Sequence, residues 1–220
     1  MRLPNDSERH AIYGQTGSGK TVFALWCLSQ RSYDKMPWVI IDAKLDPTIE
    51  KIPRLEEIDV SAKPPKSAGL FTIRPSISDF DDGVVTGWLM RAWQQERIGI
   101  MIDEGYMFNP RDRGLKTVLT QGRSKKIPMI CLSQKPSWIS PFIHSESEFK
   151  SVFFLDMPAD IDRVREWIPE YEPYSLPKHG SYWRSTSERV VAVMGPCPKE
   201  EVIFDTFDNR VKKKRLLNLF

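Results

Sequence analysis

Gly14-Gln15-Thr16-Gly17-Ser18-Gly19-Lys20-Thr21 sets glycines, a lysine and a hydroxyl at the spacing G-x-x-x-x-G-K-T. The glycines let successive backbone N–H groups curl around a phosphate, and a helix opening at the end of the run adds the partial positive charge of its N-terminus. Lys20 would then bridge the β- and γ-phosphates of a nucleotide, and the Thr21 hydroxyl would be a ligand of Mg2+. The pattern is specific only between a strand and a helix. Both conditions are met, since His10–Tyr13 reads as a short strand and Thr21–Gln30 as a helix. A Gly-rich turn with an incidental lysine is the plainer reading, and it leaves that context unexplained.

Such a loop needs carboxylates on a neighbouring strand. Ile98-Gly99-Ile100-Met101-Ile102-Asp103-Glu104 is an apolar run ending in two acids. Asp103 is expected to hold the Mg2+ shell and Glu104 to polarise the attacking water. Taken alone, the run could be a strand leaving the core for a polar loop. It is the phosphate loop upstream that turns the pair into a candidate site. No Asn-Lys-x-Asp guanine-reading motif, no Leu-Ser-Gly-Gly-Gln signature and no Arg-rich lid occurs. Hydrolysis of ATP is the reading left.

These residues must be positioned by strands and helices. The strand candidates are His10–Tyr13, Trp38–Asp42, Leu70–Arg74, Ile98–Ile102, Met129–Leu132 and Ser151–Leu155, each a short β-rich run between turn residues. Helical patterns fall between them at Thr21–Gln30, at Val84–Arg97 with Asp79, Asp81 and Asp82 at its positive end, at Leu115–Gln121, and at Pro158–Ile168 capped by Asp156. Ile52–Ser67 reads as a loop. The alternation predicts an α/β fold: a mainly parallel sheet flanked by helices over residues 1–170. Residues 171–220 read as a small β-rich extension of the same domain, with a hairpin of Ser181–Trp183 and Arg189–Met194, a strand near Val202–Phe204 and a basic end, Lys212-Lys213-Lys214-Arg215.

At 220 residues, 40% hydrophobic and 28% charged, the chain has the make-up of one ordinary globular domain. A net charge of +3 neither demands nor excludes a nucleic-acid partner. Cys27, Cys131 and Cys197 have no metal or disulfide spacing, which suits a reducing compartment. There is no secretory leader and no run approaching the roughly 18–20 apolar residues of a bilayer span. A soluble protein is expected.

The run Ile127–Leu132 is followed by Ser133-Gln134. A glutamine there, on a strand between the phosphate-loop strand and the acidic strand, can touch a γ-phosphate and report its presence. Adding Gly122-Arg123-Ser124 just upstream and Asp42-Ala43-Lys44 at the second strand's end, the order of elements from Gly14 to Gln134 resembles the FtsK/HerA superfamily of DNA-pumping P-loop ATPases. Being little more than a motor core, the chain is similar to the compact genome-packaging ATPases of tectivirus-like viruses, which are tailless with an internal membrane. The resemblance implies an additional-strand, RecA/FtsK-like sheet and an ATP-driven double-stranded DNA translocase that fills a preformed capsid. It also implies a homo-hexameric ring, capsid vertex or portal proteins as partners, and a place at the virion vertex and in the host cytoplasm. In such rings an arginine reaches the γ-phosphate held by a neighbour. Arg123 is the candidate and Arg113 the alternative.

Residues 111–126 hold six cations, Arg111, Arg113, Lys116, Arg123, Lys125 and Lys126, against the single acid Asp112. Such a stretch could track DNA phosphates at a pore, or be a solvated helix–loop surface. The terminal Lys212–Arg215 run has the same two readings. Trp138, Trp167 and Trp183 are expected in the core or at a subunit interface. His10, His144 and His179 lack metal spacing and are expected to be structural; neither His144 nor Glu146 and Glu148 beside it receives a role. Two rival functions use the same motifs: a phage morphogenesis ATPase that drives extrusion, and an ATP-binding vertex or assembly protein with little turnover.

Overall fold

The computed structural model describes residues 2–217, and residues 211–217 through their backbone alone. Among the described residues nine strands form one sheet: β1 (Arg9–Tyr13), β2 (Pro37–Asp42), β3 (Glu56–Glu57), β4 (Gly69–Ile73), β5 (Gly99–Asp103), β6 (Met129–Ser133), β7 (Phe149–Val152), β8 (Ser181–Ser185) and β9 (Val190–Met194). Their order is β3-β4-β2-β5-β6-β1-β7-β8-β9. The seven strands from β3 through β7 are parallel, and β8 and β9 extend the sheet antiparallel. Val39, Ile40, Ile41, Ile100, Met101 and Ile102 are all fully buried, as parallel strands covered on both faces must be.

The described residues form eight α-helices: α1 (Lys20–Ser29), α2 (Pro47–Glu50), α3 (Ile77–Asp81), α4 (Val84–Gln95), α5 (Arg113–Gln121), α6 (Pro141–Glu146), α7 (Pro158–Arg165) and α8 (Glu200–Leu217). Alternate residues of each strand serve opposite faces. Ala11, Tyr13, Val39 and Ile41 pack with Trp88 and Leu89 of α4 and Leu115 and Val118 of α5. Ile12 and Ile40 pack with Phe23 and Leu28 of α1 and Ile203 and Phe207 of α8.

Several expectations need correction. Val202–Phe204 is not a strand but part of α8. Ile203 and Phe207, four residues apart, are buried while Val202 is exposed, so the run follows the helical period despite its β-rich composition. Burying Phe207 alone contributes about 2 kcal/mol, more than the local preference it overrides. The strand expected at Ser151–Leu155 lies earlier, at Phe149–Val152. Ile52–Ser67 contains the two-residue edge strand β3. Of the acids before α4, Asp79 and Asp81 lie in the separate helix α3, opened by a capping box between Ser76 and Asp79 and ended at Asp82, and Gly83, at φ +74°, breaks it from α4. α7 is capped by Met157 without a side-chain bond, not by Asp156. Of the three tryptophans expected in the core or at a subunit interface, Trp183 is buried, Trp167 half-buried and Trp138 60% exposed in the single chain, which removes only the core alternative for Trp138. The side chains of Lys212–Arg215 lie outside the described residues.

Candidate active site

Because β2, β5, β6 and β1 are parallel neighbours, their C-terminal ends share one edge of the sheet. Asp42 and Asp103 stand side by side in register, as do Tyr13 and Ser133. The loop Gly14–Gly19 leaves β1 at that edge, tied to β6 by Gly14 N–H donating to the Ser133 carbonyl at 3.2 Å. Gly17 and Gly19 have φ of +78° and +96°, which the curl requires and which side chains resist. A methyl group at Gly14 would come within 2.6 Å of Phe153 Cβ and Ser18 Oγ.

Lys20 opens α1 and is 6% exposed. Burial lowers the pKa of its ammonium, and the neighbouring Glu104 and Asp103 work against that shift. Thr21 follows, half-buried. Asp103, 2% exposed, has its carboxyl pushed up to about 7 by burial first and then by Glu104, Asp46 and Asp42. The edge thus carries more negative charge than its lysines neutralise, which a divalent cation would relieve. Glu104 Oε2 and Asp42 Oδ2 are buried without a hydrogen-bond partner. The donors here are hard oxygens, and among the described residues no cluster of acids, histidines and cysteines forms a metal cage of its own. That donor set fits Mg2+, which takes one or two protein ligands and completes its shell with water and phosphate.

Glu104 adopts the left-handed conformation, φ +70° and ψ +71°, and is 2% exposed. Its Oε1 is a meeting point. Gln134 Nε2 donates to it at 2.7 Å, Lys44 Nζ lies at 2.5 Å and Lys20 Nζ at 3.9 Å. Gln134 in turn accepts from Thr16 Oγ1 at 2.9 Å. This chain works because β6 is inserted between β1 and β5, setting Gln134 between the phosphate loop and the acids. Beside the loop is a cavity of about 230 Å3, lined by Gln15–Ser18 on one side and Phe154 and Leu176–Gly180 on the other. His179 Nδ1 donates to the Ser18 carbonyl there at 3.3 Å.

The expected residues therefore divide. Gly14–Thr21, Asp103, Glu104 and Gln134 come together. Arg123 does not: it precedes β6, and its Nη1 lies 3.7 Å from Glu148, which also binds Arg9 at the start of β1. It stands at the N-terminal edge, a strand's length (roughly 15 Å) from its own phosphate loop. The basic stretch 111–126 is not one surface either, because α5 runs through it. Exposed Arg111, Arg113 and Lys116 lie at the start of α5, on the loop's side, while Arg123, Lys125 and Lys126 follow its end. Lys125 is paired with Glu96 and stacked over the Trp93 ring at 4.5 Å. Sequence reasoning missed Lys44, Tyr13, His144 and His179 as parts of the site. Only Lys44 had a signal, in the Asp42-Ala43-Lys44 strand end.

A mainly parallel sheet with this loop, acidic strand and inserted glutamine strand defines an additional-strand P-loop nucleoside triphosphatase. The chain belongs to the family of the DNA packaging ATPase P9 of Enterobacteria phage PRD1, to which it is 36% identical over an alignment 228 positions long that covers 99% of each chain. No family model matches. Among solved structures, the genome packaging NTPase B204 of Sulfolobus turreted icosahedral virus 2, in complex with AMPPCP, has a similar fold. Its TM-score is 0.71 at 13% identity, over 89% of this chain and 100% of that one. The N-terminal domain of zonular occludens toxin from Neisseria meningitidis is more distant, with a TM-score of 0.52 and 14% identity over 89% of this chain and 97% of its own.

Proposed function

We propose that this chain hydrolyses ATP to drive double-stranded DNA into a preformed viral capsid. The observation that carries the reading is the convergence of Gln134, Lys44 and Lys20 on one oxygen of a buried glutamate at the phosphate-loop edge. Family membership supplies the cargo.

In this reading the triphosphate lies along Gly14–Thr21, with Lys20 on its β- and γ-phosphates and its base toward the cavity beside His179. Thr21 and Asp103 would hold Mg2+, which would draw charge from the γ-phosphate. Glu104 takes a proton from the attacking water, and Gln134, bonded to both Thr16 and Glu104, links the γ-phosphate's presence to that carboxylate. Arg123, too far from its own loop, serves the site of the next subunit in a homo-hexameric ring; Arg113, exposed on the loop's side, is the alternative. Arg111, Arg113 and Lys116 on one side and Lys125 and Lys126 on the other are candidates for DNA phosphates. Capsid vertex or portal proteins would be the further partners, with the protein at the virion vertex and in the host cytoplasm. No helix among the described residues is long and apolar enough to cross a membrane, which offers no support for an extrusion role.

ATP turnover of the purified protein, measured with and without double-stranded DNA, tests this. Stimulation by DNA, lost in Glu104→Gln and Arg123→Ala, is the expected result. Steady turnover indifferent to DNA would contradict translocation by this chain.

A further inference from the structure

Tyr13 is the last residue of β1, directly before Gly14, and is fully buried. Its hydroxyl lies 3.0 Å from Nδ1 of His144 in α6, and the two rings stack at 5.3 Å with 25° between their planes. The other ring nitrogen of His144, Nε2, lies 2.9 Å from the carbonyl of Pro136. A carbonyl can only accept, so Nε2 carries the proton, and Nδ1 accepts from Tyr13. His144 is 7% exposed, and burial lowers its pKa to about 4, so the ring is neutral with both nitrogens engaged.

Pro136 opens a short 3-10 turn, Pro136–Trp138, two residues after Gln134. The segment is held at three points. Ser133 accepts from Gly14 N–H, Pro136 accepts from His144, and the backbone N–H and hydroxyl of Ser137 donate to Asp160 Oδ1 at 3.0 and 2.7 Å. Of these, the His144 bond is the one that ties the far end of the segment back to the strand carrying the phosphate loop. Filling the space between α6 and β1 would need only an apolar ring. An imidazole with one nitrogen on the strand that carries the phosphate loop and the other on the segment that follows Gln134 does more than fill it.

We propose that His144 is a positioning residue for Gln134: bridging Tyr13 and Pro136, it fixes the glutamine's distance from the phosphate loop, so that the amide meets Thr16 and Glu104 together. Gln134 then transmits what the loop binds, and His144 makes that transmission sharp without touching nucleotide. The inference rests on the roles proposed for Gln134 and Glu104.

The test uses the full chain with His144→Phe, which keeps a ring but no hydrogen bonds, His144→Gln, which keeps a donor toward Pro136, Tyr13→Phe, and Gln134→Ala alone and combined with His144→Phe. ATP turnover with DNA, binding of a non-hydrolysable ATP analogue and backbone hydrogen exchange across residues 133–138 are measured. In His144→Phe, kcat falls about tenfold, the worth of one well-placed buried hydrogen bond, while analogue binding stays within about twofold. The loss adds nothing to that of Gln134→Ala, His144→Gln recovers most of it, and exchange in 133–138 accelerates. Should His144→Phe fail to fold, Tyr13→Phe and His144→Gln carry the comparison, with partial loss in the former. Losses that multiply with Gln134→Ala, or unchanged exchange at 133–138, would overturn the proposal. If the wild type shows no turnover, accelerated exchange in the variant still upholds the positioning role, and it is the hydrolysis reading that falls.

Discussion

Lys44 Nζ lies 2.5 Å from Oε1 of Glu104, the same oxygen that accepts from Gln134, while Oε2 of that carboxylate has no partner. The contact joins the turn after β2 to the residue after β5 and leaves the carboxylate's second oxygen buried and unpaired. A carboxylate held by one oxygen is aimed, and aim decides rate when an error of about 1 Å costs on the order of a hundredfold.

Removing that cation should therefore act on turnover before binding. In Lys44→Ala, kcat is expected to fall on the order of tenfold, with affinity for a non-hydrolysable analogue little changed. Lys44 is itself 38% exposed, so its loss should cost only about 1 kcal/mol of stability. Equal losses in affinity and kcat would show that Lys44 binds nucleotide instead.

The acid limb of stability should carry the signature of His144. Its folded pKa is about 4 against an ordinary 6.5, so the unfolded chain takes up a proton first as pH falls. The stability contributed by the neutral ring is full above about pH 6.5 and is lost as pH drops through about 4, up to about 3 kcal/mol in all. Urea unfolding of wild type and His144→Phe from pH 7 to 4 isolates this from other groups. The wild-type advantage shrinks across that window, whereas a constant difference would mean the ring titrates normally.

Mg2+ use should depend on pH through Asp103. With its carboxyl pushed up to about 7, chiefly by burial, a metal held by Asp103 would have to displace the proton below neutrality. The Mg2+ concentration giving half-maximal turnover should rise from pH 8 to pH 6. In Asp103→Asn that dependence disappears along with most of the activity. A wild-type requirement that is flat across this range would place the metal elsewhere.

If Arg123 works across a subunit boundary, defects in different subunits should complement. Lys20→Ala and Arg123→Ala are each expected to lose about a thousandfold in turnover, and mixing them should restore a measurable part. A mixture no more active than its components would point to a role within one subunit, or to Arg113.

That the phosphate loop, Asp103, Glu104 and Gln134 meet at one edge was legible because the proposed chemistry demands fixed residue types at fixed spacing. The parallel strands were legible because burial on both faces leaves continuous apolar runs. Helix α8 was not, since Val202-Ile203-Phe204 satisfies a strand's composition over three residues and reveals its helical period only when Phe207 is included. The cations of 111–126 look contiguous in one dimension, yet α5 separates them toward opposite edges. His144 gave no signal at all. A lone histidine acquires a partner only through tertiary packing, and Tyr13 is 131 residues away.

Displacement of a third-strand oligonucleotide from a DNA duplex tests the central claim most directly, because it reads movement along DNA and not turnover alone. With the full chain, ATP and Mg2+, displacement is predicted, and it should vanish with a non-hydrolysable analogue and in Glu104→Gln. Hydrolysis stimulated by DNA but without displacement would contradict translocation, leaving an ATPase that binds DNA and does not move it.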